Sequence, residues 1–336
     1  RHPGHRADLQ RRERRRMSEV RADEAARAEE RTGSPRAGWT DVGEQGSVLA
    51  IRTAVFIATV MGRTFGRVIA RVVAFYYWLF AAKARRSARE YLRRVHGREP
   101  TKGEVYRQIL RFAETTLDAF FLVAGKTHHF RVTTNGHHHL AALRDGKRGA
   151  ILLGAHLGSF YAMRAQSEVE SLPLYAVVYT KNARRINEAL EQIDPGKNAK
   201  LLQMGEGIDF MLRIKELIEG GAIVAILADR VPPNAADGGD SRTVSADFLG
   251  GSARLPTGPY LLASMLKCPV YMTFGLYRGG RRYDLYCEPF AETIELPRKE
   301  RQAALARYAQ QYATRLEHFC KVAPDNWFNF YDFWER

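Results

Sequence analysis

The stretch "GAILLGAHLGSF" (residues 149–160) is a short apolar run followed by a histidine and a Gly-Ser turn. Apolar runs of this length, bounded by turn residues, are typical of buried strands. Similar runs recur as "PLYAVVYT", "KLLQM", "AIVAILAD", "PVYMTFGLY" and "RYDLYCEPF", with helical patterns near 160–170, 183–194, 206–220, 257–267 and 298–322. This alternation predicts an α/β fold with a mixed, largely parallel central sheet flanked by helices.

His156 and Asp229 each come directly after a predicted strand. In parallel sheets, functional sites form at the carboxyl ends of strands. A histidine there can deprotonate a hydroxyl group as a general base, although a structural histidine is an equally good interpretation. Arg230 can bind a phosphate or carboxylate in a forked geometry, and the alternative is an Asp–Arg pair that closes the strand end.

Two further stretches are candidates for a site. In "SADFLGGSARLPTGPYLLASMLKCPVY" (residues 245–271), Arg254 precedes a Pro-bounded helix start. The small residues there suit a wall against which backbone or an acyl chain packs closely. A plain strand–helix connection has the same pattern. In "GHHHL" (residues 136–140), consecutive histidines do not converge on one side of a helix or strand, so we expect a solvated loop and no metal site.

Positive charge is concentrated in one segment. The net charge is +15, and residues 50–111 carry 14 Lys or Arg against 3 Asp or Glu, for +11. Residues 1–48 carry 11 basic and 9 acidic side chains and few large apolar ones, which predicts disorder. No secretory signal is visible, and three widely spaced cysteines favour a reducing compartment.

The basic segment is also apolar. Its uncharged runs, 53–62 and 72–82, are shorter than the ~20 residues that span a bilayer, and arginines recur between them at 63, 67 and 71. These features predict an amphipathic helix or helical hairpin that anchors the protein in the membrane interface, with the aromatic residues 75–78 at the headgroups. The arginines at 85, 86, 89, 93 and 94 would then meet anionic lipid.

Two other interpretations of this basic, apolar segment do not involve a membrane. A core helix followed by a solvated basic helix fits the pattern. A nucleic-acid partner is disfavoured, because a surface that follows phosphates does not need the apolar run. The expected organisation is therefore a charged segment at 1–48, anchoring helices at 49–100 and an α/β domain at 101–336.

Four pieces, "GAHLGSF", "LADRVPP", "FLGGSARLPTGPYLLA" and "PDNWFNFYDFW", occur in that order. Together they resemble the bacterial lipid A biosynthesis acyltransferases (lauroyl and myristoyl transferases), within the lysophospholipid acyltransferase superfamily. "HLGSF" and "WFNFYDFW" look most similar to acyltransferases of aryl-polyene clusters.

The resemblance implies an enzyme that moves a fatty acyl group from acyl carrier protein or coenzyme A to a lipid or glycolipid hydroxyl. It implies a peripheral or monotopic protein on the cytoplasmic face of the inner membrane, at an anionic surface, with no metal or redox cofactor. His156 would be the general base. The substrate-binding residues would be Ser159, Asp229, Arg230 and Arg254.

Tyr161 departs from the family pattern, in which Asp or Glu follows the histidine after four residues. That acid would hold the imidazole tautomer, and losing such a group costs about 10⁴ in rate in a triad enzyme. Either another carboxylate replaces it, with Asp229 a better candidate than Glu168 or Glu170, or the Tyr161 hydroxyl or a backbone carbonyl orients His156. Otherwise the chain is an impaired homologue that acts as a lipid- or carrier-binding scaffold. A thioester hydrolase is a further, weaker option.

Overall fold

The computed structural model describes residues 62–178, 200–203, 208–231 and 242–334. The predictions for residues 1–48, for nearly all of the apolar run 53–62 and for the helix at 183–194 therefore lie outside the described residues. So does the proline-rich part of "LADRVPP". The division into 1–48, 49–100 and 101–336 stays a prediction.

Helices and strands alternate through most of the described chain. The helices are α1 (Arg63–Phe80), α2 (Ala82–His96), α3 (Lys102–Val123), α4 (His137–Asp145), α5 (Phe160–Val169), α6 (Ile208–Glu219), α7 (Gly258–Leu266) and α8 (Arg301–Val322). The strands are β1 (Arg131–Asn135), β2 (Ala150–Gly154), β3 (Leu174–Val178), β4 (Leu201–Gln203), β5 (Ile223–Leu227), β6 (Thr243–Phe248), β7 (Gly251–Pro256), β8 (Val270–Tyr277) and β9 (Arg282–Ala291). Single 3₁₀ turns occupy Thr127–His129 and Pro324–Asn326.

The central sheet of the described residues has the strand order β1-β9-β8-β2-β5-β3-β4. All neighbouring pairs are parallel except β8 and β9, which are antiparallel. Helices flank the sheet, and β6 and β7 form a separate antiparallel hairpin. The predicted fold class is confirmed as a mixed α/β fold with a largely parallel central sheet.

Strand β2 lies in the middle of this sheet, and all five of its residues are buried. It pairs with β5 so that Gly154 lies opposite Leu227. Because the two strands are parallel neighbours, the residues that follow them emerge at the same edge of the sheet. Helix α8 is tied to this edge, since the Tyr312 hydroxyl donates to the Gly154 carbonyl at 2.8 Å.

Helix α1 is attached to α3 through charged side chains. The Arg63 guanidinium donates to both carboxylate oxygens of Asp118 at 2.7 Å, and Arg67 pairs with Glu114 at 2.7 Å. Both carboxylates are buried, so these pairs hold α1 on α3, while the interfacial anchor stays a prediction. Carboxylates four residues apart on α3 match arginines four residues apart on α1, and this matched spacing was the available sequence signal.

Three arginines of the following helix also have partners within the protein. Arg85 donates to the Leu79 carbonyl at 2.6 Å, at the end of α1, and Arg89 pairs with Glu99 at 2.9 Å. The Arg94 guanidinium lies over the Trp334 ring, 4.5 Å from its centroid. Arg86, Arg89 and Arg93 are exposed, and the contact of the five arginines with anionic lipid stays a prediction.

The outer side of α1 is apolar. Its exposed large side chains are Phe65, Val68, Val72, Val73, Phe75, Tyr76, Leu79 and Phe80. Within the described residues, no single helix is long and apolar enough to cross a membrane. Helices α1 and α2, bent by 94° at their junction, meet that length and composition test only as a pair.

Two smaller predictions concern the histidine-rich stretch and the cysteines. The "GHHHL" stretch is not a loop but the first turn of α4, where His137 pairs with Glu170 at 3.0 Å. The three cysteines, Cys268, Cys287 and Cys320, are all free and buried. Burial raises the pKa of the Cys268 thiol to about 11 and that of the Cys287 thiol to about 12.

Candidate active site

The loop between β2 and α5 carries His156 and is pressed against the sheet. Gly158 has a φ of 74°, and a Cβ atom there would lie 1.9 Å from the Gly275 carbonyl oxygen. Only glycine fits this left-handed backbone and close approach. The Ser159 backbone N–H donates to the same Gly275 carbonyl at 2.7 Å, which fixes the loop beside β8.

Asp229 follows β5 and binds His156 at two points. The ring Nδ1 of His156 lies 2.8 Å from Asp229 Oδ1, and the His156 backbone N–H donates to Oδ2 at 2.9 Å. Asp229 is fully buried, whereas the His156 side chain is 30% exposed. A buried carboxylate therefore holds one ring nitrogen, and the imidazole remains within reach of a ligand.

The pKa values define the charge state of this pair. Burial raises the pKa of Asp229, but His156 and Arg230 lower it more, and the result is about 2. Burial and the charge of Arg230 lower the pKa of His156 below its ordinary value, although Asp229 acts in the opposite direction. At neutral pH the pair is an ionised carboxylate and a neutral imidazole, so Nδ1 carries the proton and Nε2 the free lone pair.

Arg230 lies next to Asp229 and contacts residues near the end of the chain. Its Nη2 donates to the Phe328 carbonyl at 2.6 Å, and its guanidinium lies 5.5 Å from the centroid of the Tyr331 ring. Because its charge acts on the pKa of His156, Arg230 belongs to the same site. Its predicted role in substrate binding stays a prediction.

Residues 324–334, here called the closing segment, contact this site through residues 326–328. Gly158 N–H donates to the Asn326 carbonyl at 2.8 Å, and Phe328 N–H donates to the His156 carbonyl at 2.9 Å. Leu157 and Trp327 are thus paired as in an antiparallel ladder. The Trp327 indole N–H donates to Asp229 Oδ2 at 3.1 Å.

The aromatic residues of the stretch "WFNFYDFW" exceed what a solvated tail needs, which predicts docking on the α/β body or on the membrane surface. They dock on the body, because Trp327, Phe328, Phe333 and Trp334 are buried. The contact between Trp327 and Asp229 was missed. It depends on a pairing across 98 residues of chain, and no spacing in the sequence predicts that pairing.

Ser159 and Tyr161 follow His156 in the chain, at the start of α5. Tyr161, in the first turn of α5, packs against the buried cluster that includes Phe121 and Tyr283, and its ring lies 5.5 Å from that of Phe160. Burial raises the pKa of its hydroxyl. The buried Ser159 hydroxyl caps α5 by accepting a hydrogen bond from Ala162 N–H at 3.2 Å. Substrate binding by Ser159 stays a prediction.

Arg254 lies on the β6–β7 hairpin. Its Nε and Nη2 donate to the Thr243 hydroxyl at 3.1 and 2.6 Å. Trp334 of the closing segment pairs with Ala253, the neighbouring residue. The closing segment therefore connects the hairpin to the His156 loop, and a direct role of Arg254 stays a prediction.

A small, mostly apolar cavity of about 50 Å³ lies along α5 on the sheet and is partly open to solvent. Its lining includes Leu152 and Ala225 of the sheet and Phe160 and Met163 of α5. Cavities that bind small molecules commonly measure about 300–1,000 Å³ and are mostly apolar. The lining of this cavity therefore suits an apolar chain, but the cavity would have to widen to hold one.

No group of three or more His, Cys, Asp or Glu residues in the described parts of the chain is arranged to hold a metal ion.

A model of bacterial lipid A biosynthesis acyltransferases matches residues 46–336. The chain belongs to this family. No curated protein sequence matches it.

Membership carries a coarse assignment of function. The chain is a transferase of lipid biosynthesis that moves an acyl group, and it takes an acyl donor and a lipid acceptor. The match covers β2, β5, the hairpin and the closing segment, and therefore every element that surrounds His156 and Asp229.

Proposed function

We propose that this acyltransferase moves a fatty acyl group from a thioester, on acyl carrier protein or coenzyme A, to a hydroxyl group of a lipid or glycolipid, with His156 as the general base. The observation that carries this proposal is the hydrogen bond between His156 Nδ1 and the buried, ionised Asp229. It leaves Nε2 as the proton acceptor, which is the arrangement of His and Asp in hydrolytic triads.

The reaction balances without a cofactor. As the acceptor hydroxyl oxygen attacks the thioester carbonyl, its proton moves to Nε2 of His156. The new C–O bond forms, the C–S bond breaks, and the imidazolium returns the proton to the leaving thiolate. The carboxylate of Asp229 stabilises the imidazolium during this step.

The departure at Tyr161 no longer favours an impaired scaffold. That alternative depended on a histidine with no carboxylate partner, and Asp229 supplies the carboxylate from another strand. The expectation that Asp229 substitutes for the family acid is therefore part of this proposal. Asp229 acts here on His156 rather than on the substrate.

The test is an acyl-transfer assay with acyl-coenzyme A or acyl carrier protein as donor and membrane lipid extract as acceptor. Mass spectrometry of the lipid products measures transfer. His156→Ala is expected to lower the rate about 10²–10⁴-fold, while the control His318→Ala, at an exposed histidine of α8, leaves it unchanged. Equal rates for the two variants would refute general-base catalysis by His156.

The acyl chain has a candidate place in the cavity along α5. Phe160 lines this cavity and begins the helix that follows the His156 loop. Ala225→Leu narrows the cavity and is expected to reduce kcat/KM for hexadecanoyl donors more than for octanoyl donors. An unchanged ratio between the two donors would place the chain elsewhere.

The membrane surface of the cytoplasmic leaflet is the proposed location, with the protein peripheral or monotopic. Support comes from α1, whose charged side faces α3 and whose apolar side is exposed. Fully burying one such apolar side chain contributes about 1.5–3 kcal/mol. The exposed arginines 86 and 93 of α2 add attraction to anionic lipid.

Vesicle flotation tests this location. Val72→Asp on α1 is expected to reduce binding to vesicles that contain anionic lipid, since Val72 is 65% exposed. The matched control is Leu212→Asp, at an exposed apolar residue of α6 that is 50% exposed. Equal flotation of both variants would contradict docking through α1.

A further inference from the structure

Trp327 is held in one orientation. It is fully buried, and its ring lies 4.9 Å from Tyr91, 5.3 Å from Phe248 and 4.8 Å from Phe333, between centroids. Its carbonyl accepts a hydrogen bond from Gln108 Nε2 at 2.6 Å. Because three rings surround the indole and its backbone is fixed, the indole N–H can point in only one direction.

The backbone around Trp327 is fixed as well. The Asn326 side chain binds both backbone polar groups of Tyr277 at the end of β8, with distances of 2.7 and 3.1 Å. On the other side, Asn326 and Phe328 pair with the His156 loop. The closing segment therefore connects β8 to the loop that carries His156.

The indole N–H points at Asp229. The Oδ2 atom accepts from this N–H at 3.1 Å and from the His156 backbone at 2.9 Å, while Oδ1 faces the ring Nδ1 at 2.8 Å. A buried indole N–H needs an acceptor, and a buried carboxylate needs donors. Rotation of the Asp229 carboxylate would break the bonds at both oxygens.

We infer that Trp327 is a positioning residue for acyl transfer, which fixes the Asp229 carboxylate in the plane that aligns His156. This inference rests on the proposed function. Without the indole N–H, Oδ2 loses one of its two donors and the carboxylate can rotate. The imidazole then spends less time aimed at the acceptor hydroxyl, which lowers kcat with little effect on KM.

The charged and titratable groups around the pair come from three elements. Arg230 follows Asp229 after β5, Tyr331 belongs to the closing segment, and Tyr312 and Cys320 belong to α8. Replacing Trp327 by phenylalanine changes none of these groups. A shift in the protonation of His156 is then attributable to the lost N–H.

The experiment compares Trp327→Phe with the matched control Trp334→Phe in the full chain. Both tryptophans are buried, both pack on Phe248, and the Trp334 indole N–H donates to the Phe248 carbonyl at 2.9 Å rather than to the site. One readout is kcat and KM with octanoyl-coenzyme A. The second is the pH dependence of His156 modification by diethylpyrocarbonate, followed by peptide mass spectrometry.

For Trp327→Phe we expect kcat to fall about tenfold or more, in the range known for partners that orient a functional histidine, with KM unchanged. The midpoint of His156 modification moves to higher pH, because a carboxylate with fewer donors attracts the imidazolium more strongly. Trp334→Phe changes neither. Identical kcat and midpoint in both variants would overturn the inference.

Two safeguards keep the result decisive. If Trp327→Phe does not fold, 3-benzothienylalanine at position 327 keeps the bicyclic ring and removes only the N–H, with the same expected changes. If the parent protein transfers no acyl group but Trp327→Phe still shifts the midpoint, the proposed function fails and the coupling of Trp327 to His156 stands. Unchanged protonation in an active enzyme rejects that coupling alone.

Discussion

Two fully buried carboxylates, Asp118 on α3 and Asp229 after β5, each accept three hydrogen bonds from described residues. Asp118 binds Arg63 and the Tyr283 hydroxyl, whereas Asp229 binds His156 and Trp327. Burial raises the pKa of Asp118 even beside a guanidinium, and its contacts lower the pKa of Asp229 to about 2.

The cationic partner separates the two pairs. A guanidinium stays charged at every physiological pH, and Arg63 is only 7% exposed, so its pair with Asp118 fixes α1 on α3. An imidazole changes its charge near neutral pH, and His156 is 30% exposed. Asp118 thus has a structural role, whereas Asp229 is suited to assist proton transfer.

The largest effect is expected from breaking the pair of His156 and Asp229. Asp229→Asn keeps the shape of the side chain but allows the amide to donate to Nδ1, which puts the proton on Nε2. By analogy with triad enzymes, kcat in the acyl-transfer assay falls about 10⁴-fold. Asp118→Asn, assayed below its unfolding temperature, keeps most of the parent rate. A rate for Asp229→Asn within tenfold of the parent would contradict the distinction.

Breaking the pair of Arg63 and Asp118 is expected to lower the stability of the fold. Asp118→Ala leaves the buried Arg63 guanidinium unpaired, which lowers the free energy of unfolding by about 3–5 kcal/mol. Thermal or denaturant unfolding measures the loss. The double variant Arg63→Met/Asp118→Leu, which removes both charges, is expected to recover most of it. A single variant as stable as the parent would show that the pair does not hold α1.

A smaller effect concerns pH. Burial and Arg230 lower the pKa of His156, so the acid limb of kcat/KM has its midpoint below the ordinary 6.5 of histidine. The base form is lost as pH falls through this midpoint. Arg230→Gln removes a positive neighbour and moves the midpoint to higher pH, while Arg278→Gln, at a surface pair with Asp284, does not. A midpoint unmoved by Arg230→Gln would contradict this electrostatic effect.

The smallest expected effect is at Tyr161. Asp229 already binds Nδ1, so Tyr161→Phe is expected to keep the rate within about threefold of the parent. Tyr161→Glu restores the family acid in sequence but buries a carboxylate among Phe121 and Tyr283, so it lowers the unfolding temperature without raising the rate. A gain of several orders of magnitude would instead mean that Asp229 does not serve His156.

The sequence predicted the elements of the sheet better than their partners. The runs "GAILLGAH" and "AIVAILAD" became β2 and β5, because buried apolar residues between turns define a strand locally. That β2 and β5 are neighbours is a property of strand order. For this reason Asp229 could be named as a candidate partner of His156 but not chosen over the alternatives.

Three features of the structure were not predicted from the sequence. The ion pairs of Arg63 and Arg67 were not predicted, because their partners on α3 lie 55 and 47 residues away in the chain. Strand β1 was not predicted, since four of its five residues are exposed and it lies at the edge of the sheet. The "GHHHL" stretch became a helical turn because its three histidines begin α4, which continues through "LAALRD".

The buried cysteines have a consequence if the donor is a thioester, as proposed. A thiolate exchanges readily with a thioester, so a reactive cysteine near the site would capture the acyl group before the lipid does. Burial raises the pKa of all three thiols and keeps them protonated and out of contact with solvent. With such a donor the chain would be protected from acylating itself, and a colourimetric reagent for free thiols would report donor turnover with little background from the protein.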